Sequence, residues 1–234
     1  MSGNNIRIGI TERGDAGLNL SWVDRANEFD GLVLITKRLS ENFIQQAAKV
    51  NSIVHATITG HGGTIIEPNV IPYGESKVLF KRLVNVLGHE RVVLRIDPII
   101  PTESGITTAL KVYKGLHTEQ DVKTRVRISF LDNYPHVRSR FSKAGLPQLP
   151  YQFHAPLSQR KDIAARFPDA EICGEPGFPC TGCISEKDLK VLGLSANNCT
   201  ARGQRAECRC LAAKTELFSA RGQCPHGCLY CYWK

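Results

Sequence analysis

The run Gly31-Leu32-Val33-Leu34-Ile35-Thr36-Lys37 is apolar without alternation. A strand buried on both faces reads this way, and such strands belong to parallel sheets covered by helices. Residues 6–11, 53–59, 91–97 and 125–130 read as four further strands. The first runs into the turn Arg13-Gly14-Asp15, the run at 53–59 closes on Gly60-His61-Gly62-Gly63, and Pro98 is expected to stop the one before it. Helical spacing fills the intervals. Ser40 is placed to cap a helix whose apolar stripe is Phe43, Ile44, Ala47, Ala48 and Val50. Val78, Leu79, Leu83, Val86 and Leu87 form a second stripe, ended by Gly88. Strand–helix alternation of this kind implies an α/β fold with a parallel sheet or barrel, whose chemistry sits on loops at the strand C-terminal ends.

Period-2 geometry puts His55, Thr57 and Thr59 on one face of their strand. Val93, Arg95 and Asp97 share a face on the next, and Arg125, Arg127 and Ser129 on another. Polar groups inside apolar strands are costly to bury without partners. They read either as internal salt bridges or as a polar interior that holds a substrate. The pattern recurs on three strands, which favours the second reading.

The texture changes at Pro147, so the chain divides into a β/α core at residues 1–146 and a cysteine-rich segment at 147–234. Prolines interrupt the second part, and helices are expected there only around 157–167 and 186–192. All nine cysteines lie in it, from Cys173 onward. No charged-then-apolar leader opens the sequence, and no apolar run is long enough to span a bilayer, so a cytoplasmic location without membrane contact is expected. Clustered cysteines in that compartment read as metal ligands, not disulfides. The formal charge of +8 suits an anionic partner, nucleic acid among them, or an ordinary solvated surface.

The chain ends Cys224-Pro225-His226-Gly227-Cys228-Leu229-Tyr230-Cys231-Tyr232-Trp233-Lys234. A Cys-x3-Cys-x2-Cys loop can hold three corners of a cubane iron–sulfur cluster and leave the fourth iron open. The competing reading is a zinc knuckle built on Cys228 and Cys231 with His226 nearby.

This motif resembles that of the radical S-adenosylmethionine (SAM) enzymes, and its C-terminal position resembles one radical SAM-like family in particular. Blocks along the chain carry the likeness further: Leu34-Ile35-Thr36-Lys37, Thr57-Ile58-Thr59-Gly60, Glu67-Pro68-Asn69-Val70-Ile71-Pro72, Leu94-Arg95-Ile96-Asp97-Pro98, Ile128-Ser129-Phe130-Leu131-Asp132-Asn133-Tyr134 and Cys208-Arg209-Cys210. The strand blocks are similar to those of the spore photoproduct lyase branch. Thr11-Glu12-Arg13-Gly14-Asp15 departs from the Ser-Arg-Arg-Thr-Asp that relatives with the C-terminal motif commonly show after the first strand. The resemblance implies a partial (β/α)6 TIM-like barrel, circularly permuted, with a C-terminal cysteine-rich iron–sulfur layer. The strand at 212–218 would pair in parallel with that at 6–11 and bring the count to six.

The resemblance also implies an enzyme. Cys224, Cys228 and Cys231 would carry a 4Fe-4S cluster that binds S-adenosyl-L-methionine and cleaves it reductively to a 5′-deoxyadenosyl radical. That radical abstracts hydrogen from an unidentified substrate, a nucleic acid or nucleotide being one candidate. Thr36, Lys37, Thr59, Arg95 and Asp97 would hold the methionyl and ribose parts, Asp15 the amino group, and Tyr230 would lie beside the adenine. Cys173, Cys183, Cys208 and Cys210 would form a second, auxiliary 4Fe-4S cluster or a four-thiolate zinc site, with Cys180 able to replace Cys173 and Cys199 left free. A one-electron donor such as flavodoxin or ferredoxin is required. The alternative is a zinc- or iron–sulfur-organised nucleic-acid-binding module without SAM chemistry.

Overall fold

The computed structural model describes residues 6–119, 123–195, 206–211, 214–218 and 224–233. Seven parallel strands lie in one sheet: β1 (Ile8–Ile10), β2 (Gly31–Thr36), β3 (Ser52–Thr57), β4 (Val92–Ile99), β5 (Arg125–Phe130), β6 (Ala170–Ile172) and β7 (Lys214–Glu216). Their spatial order is β6-β5-β4-β3-β2-β1-β7. The chain is thus laid down strand beside strand, except that β7 returns to flank β1. Ile8 faces Lys214 and Ile10 faces Glu216 in parallel register, which is the pairing expected for the last strand. Residues 212–213 of that expected strand lie outside the described residues. Among the described residues β6 and β7 do not pair with each other.

The helices are α1 (Glu41–Ala48), α2 (Tyr73–Leu87), α3 (Glu103–Tyr113), α4 (Pro135–Lys143), α5 (Leu157–Ala164) and α6 (Glu186–Val191). Ser40 caps α1 by accepting from the Phe43 N–H, as its position implies. The two faces of the sheet are covered differently. Leu34, Val54, Ala56, Leu94, Ile96 and Ile128 pack with Phe43, Phe80, Leu83 and Val112 into the main apolar core. Ile8, Ile10, Val33, Ile53 and Val93 point the other way and pack against Cys183, Ile184, Leu189, Leu192 and Cys210. The cysteine-rich segment therefore supplies the second layer over the sheet.

Four expectations needed revision. β6 was not expected, and it makes the sheet seven-stranded instead of six. Pro98 does not stop β4, which continues to Ile99 with a register shift against β5 after Ile96. Proline lacks only the N–H, so an irregular stretch of pairing can absorb it. Val78 is exposed, and Phe80 takes the buried place on α2. α3 and α4 were not anticipated.

Candidate functional site

A cavity of about 990 Å³ opens at one end of the sheet, lined by residues that follow β1, β2 and β5, by Thr57 of β3 and Arg95, Asp97 and Pro98 of β4, and by both cysteine-bearing segments. Its geometry starts at Asp15. One carboxylate oxygen accepts from the Thr36 hydroxyl (2.5 Å) and the Gly17 N–H (2.9 Å). The other accepts from the Lys37 N–H and from His226 Nε2, both at 2.7 Å. Burial works against the charge on Asp15, but His226, Thr36 and the Lys37 N–H outweigh it and hold the carboxyl below its ordinary range. Asp15 and Thr36 are thus engaged with the protein, and their work is to anchor the loop that carries Cys224, Cys228 and Cys231.

Lys37 Nζ donates to Glu67 Oε1 at 2.9 Å and to the Tyr230 hydroxyl at 2.7 Å, and Tyr230 donates to Glu67 in turn. The ammonium lies 5.2 Å from the centre of the Tyr230 ring. Burial opposes the Lys37 charge, yet Glu67 and Cys228 beside it raise its pKa above normal. Arg95 and Asp97 form an ion pair in the cavity, and Ser129 donates to Asp97. Burial disfavours the Asp97 charge, but Arg95 and Ser129 hold its pKa low. Thr59 is buried and accepts from the His61 N–H at 3.3 Å. β3 ends at Thr57, which lines the cavity where Thr59 was expected to do so.

The three motif cysteines all line this cavity. Their loop turns at Gly227, whose φ of +66° suits glycine. The 66–69 segment clasps it: Asn69 Nδ2 donates to the Pro225 carbonyl (2.7 Å), and the Leu229 N–H donates to the Ile66 carbonyl (3.0 Å). Arg140 on α4 holds the other side, donating to the carbonyls of Cys231 (2.6 Å) and Trp233 (3.0 Å). Burial pushes the Cys228 thiol up to about 12, with Lys37 pulling against it.

The second set also gathers. Cys173 and Cys183 Sγ are 3.9 Å apart, and those of Cys208 and Cys210 are 3.3 Å apart. Cys173, Cys183 and Cys208 line the same cavity, and Cys210 is buried. The two segments meet tightly, because a Cβ on Gly182 would stand 2.5 Å from the Arg209 backbone. Cys180 is turned onto the Glu175 backbone at 3.1 Å. Cys199 lies outside the described residues. Among the described residues no group of three or more His, Cys, Asp or Glu side chains converges as a ready metal site, and no helix is long and apolar enough to cross a membrane.

The polar strand face divides in two. His55, Val93 and Arg125 stand in one register row, and Thr57, Arg95 and Arg127 in the next. Arg95, Asp97 and Ser129 line the cavity. Deeper, Arg125 and Arg127 bind Asp188 (2.6 and 3.0 Å) and Glu171 (3.2 and 2.7 Å). Asp188 also closes the capping box of α6 with Ser185. Those two arginines are therefore internal ion pairs that fasten the cysteine-rich layer, and the substrate reading does not extend to them. The sequence placed His226 only in the zinc-knuckle reading and gave Glu67 no site role, although Glu67 stands within a recognisable block; the structure bonds His226 to Asp15 and Glu67 to Lys37 and Tyr230.

Fold and site define a parallel α/β protein in which a cysteine loop and a second cysteine set meet over one cavity that also holds the Arg95–Asp97 ion pair. The chain belongs to the family described as a domain of unknown function (DUF1848), which matches residues 19–233. No curated protein matches it.

Proposed function

We propose that this protein is a radical SAM enzyme. The observation that carries the reading is the shared cavity: Cys224, Cys228 and Cys231 open onto the same space as Lys37, Arg95 and Asp97. The parallel pairing of β7 with β1 supports it, because the loop that follows β7 then emerges on the same side as the loops after β1, β2 and β4. A sequential run of parallel strands is also what a partial, permuted β/α barrel requires.

The donor set fits a 4Fe-4S cluster in kind. Three thiols sit on one short loop, and the Lys37 ammonium beside Cys228 offsets thiolate charge. When bound, that cluster supplies the electron that cleaves S-adenosyl-L-methionine to a 5′-deoxyadenosyl radical. The chain's own residues do the rest. Arg95 and Asp97 present paired charges to the amino and carboxylate groups of the methionyl part. Asp15, through His226, fixes the cysteine loop against the strand ends. Lys37, Glu67 and Tyr230 form a hydrogen-bonded lock beneath it, and the Tyr230 backbone would lie beside the adenine of bound SAM. Cys173, Cys183, Cys208 and Cys210 would hold the auxiliary centre, a second 4Fe-4S cluster, and a flavodoxin or ferredoxin would deliver electrons.

The test is anaerobic reconstitution with iron and sulfide followed by reduction in the presence of SAM. The reading expects 5′-deoxyadenosine and about eight irons per chain, four per cubane. About four irons would remove the auxiliary cluster from the account, and stoichiometric zinc with no iron would overturn the enzyme reading.

A further inference from the structure

The cavity mouth has two aromatic walls. On one, Tyr134 at the start of α4 stacks on His136 at 5.4 Å and meets Phe153 edge-on at 4.8 Å. On the other, Tyr232 stacks on Trp233 at 4.9 Å with 28° between the ring planes. Arg140 ties the walls together through its bonds to Cys231 and Trp233. Tyr134, Tyr232 and Trp233 all line the cavity, while Phe153 and Tyr232 are 37% and 44% exposed. Large, partly exposed rings gathered on the rim of a cavity mark a surface that something covers.

Charge says what that is. Residues 133–161 contain Arg138, Arg140, Lys143, Arg160 and Lys161 and no Asp or Glu. Arg160 is buried against Glu175 at 2.9 Å. Arg138 and Lys143 form no ion pair among the described residues and follow Tyr134 along α4. The neighbouring acid Asp132 is engaged by His154 at 2.8 Å. Aromatic faces on the rim, with those unpaired cations on the helix that Tyr134 opens, fit a ligand that alternates planar bases with phosphates.

We propose that single-stranded nucleic acid crosses this rim, with bases stacked on the Tyr232–Trp233 and Tyr134–Phe153 walls and phosphates at Arg138 and Lys143. The proposal rests on reading the cavity as the reaction chamber, and it names the substrate class. A paired duplex buries the faces of its bases, whereas a strand with splayed bases can offer one face to a wall and one edge to the cavity.

The test uses the full reconstituted chain, without SAM or reductant, and a fluorescein-labelled 12-nucleotide oligothymidylate followed by anisotropy. Trp233 is an internal reporter, because the other tryptophan, Trp22, is fully buried. Binding should quench Trp233 emission and weaken steeply with salt. Tyr232→Ala and Phe153→Ala should each weaken it about tenfold, the scale of one base-stacking contact. Arg138→Ala and Lys143→Ala should each lower the salt slope by about one. Both aromatic changes are at exposed positions, and the quench in the unaltered protein tests the same stacking without any substitution. Binding without quenching, unchanged affinity in both aromatic variants, or equal affinity for a 12-base-pair duplex would overturn the proposal. Equal quenching by thymidine monophosphate at the same nucleotide concentration would also overturn it and assign a free-nucleotide site. Loss of binding with 5′-deoxyadenosine still formed removes this inference alone. Binding with quenching but no SAM cleavage removes the enzyme reading alone.

Discussion

His226 Nε2 lies 2.7 Å from Asp15 Oδ2, across 211 residues of sequence. This contact joins the cysteine loop to the first strand's loop, and both partners are buried. Removing the buried Asp15 carboxylate leaves His226 Nε2, the Thr36 hydroxyl and the Lys37 N–H without their acceptor, which costs about 3 kcal/mol. Asp15→Ala should therefore lower the melting temperature by roughly 6–12 °C in a chain of this size. It should also reduce iron uptake by the cysteine loop. Thermal unfolding and iron analysis check it, and an unchanged melting temperature would show that the anchor lies elsewhere.

Asp188 is fully buried between Arg125 and Arg127 and caps α6. Burial opposes its charge, but the two guanidiniums and their hydrogen bonds hold its pKa well below the ordinary range. Asp188→Ala would strand both arginines, and the loss should reach about 3–5 kcal/mol. Urea unfolding measures it. A loss below about 1 kcal/mol would mean that Glu171 alone suffices for the two arginines.

The buried network also gives a pH dependence. Burial, reinforced by Arg127, lowers the His55 pKa from 6.5 to about 3, so the folded state keeps the ring neutral. Between those values the unfolded chain binds a proton that the folded chain does not. Stability should then fall as pH drops from about 6.5 toward 3, by up to about 1.4 kcal/mol per pH unit from this group. His55→Gln should flatten that part of the profile relative to the unaltered protein. Identical slopes in the two proteins would contradict the neutral-ring assignment.

Strands β1, β2 and β3 were legible as short apolar runs, and β5 (Arg125–Phe130) matches its expected bounds. The parallel return of β7 followed from the resemblance and not from its composition, which is Lys-Thr-Glu. β6 is only three half-buried residues, too short for periodicity to reveal. Helix α4 buries just Val137 and Phe141 and carries three basic residues, so its stripe is too thin to read. The shared faces of His55 with Thr57, of Arg95 with Asp97 and of Arg125 with Arg127, each on its own strand, were visible from period 2. Which of them would meet a carboxylate was not, because Asp188 and Glu171 arrive from the distant cysteine-rich segment. Glu67 escaped notice for the same reason, since its partner Tyr230 is 163 residues away. The spacing singled out Cys224, Cys228 and Cys231, but that they share a cavity with Cys173, Cys183 and Cys208 is a property of the folded chain.

The central claim is that Cys224, Cys228 and Cys231 carry a SAM-cleaving centre. The most direct measurement is 5′-deoxyadenosine formed from SAM by the reduced, anaerobically reconstituted protein, beside Cys228→Ala and Cys199→Ala treated identically. The account predicts product from the unaltered protein and from Cys199→Ala, and none above background from Cys228→Ala. Product from Cys228→Ala, or none from the unaltered protein once its iron is loaded, would contradict it.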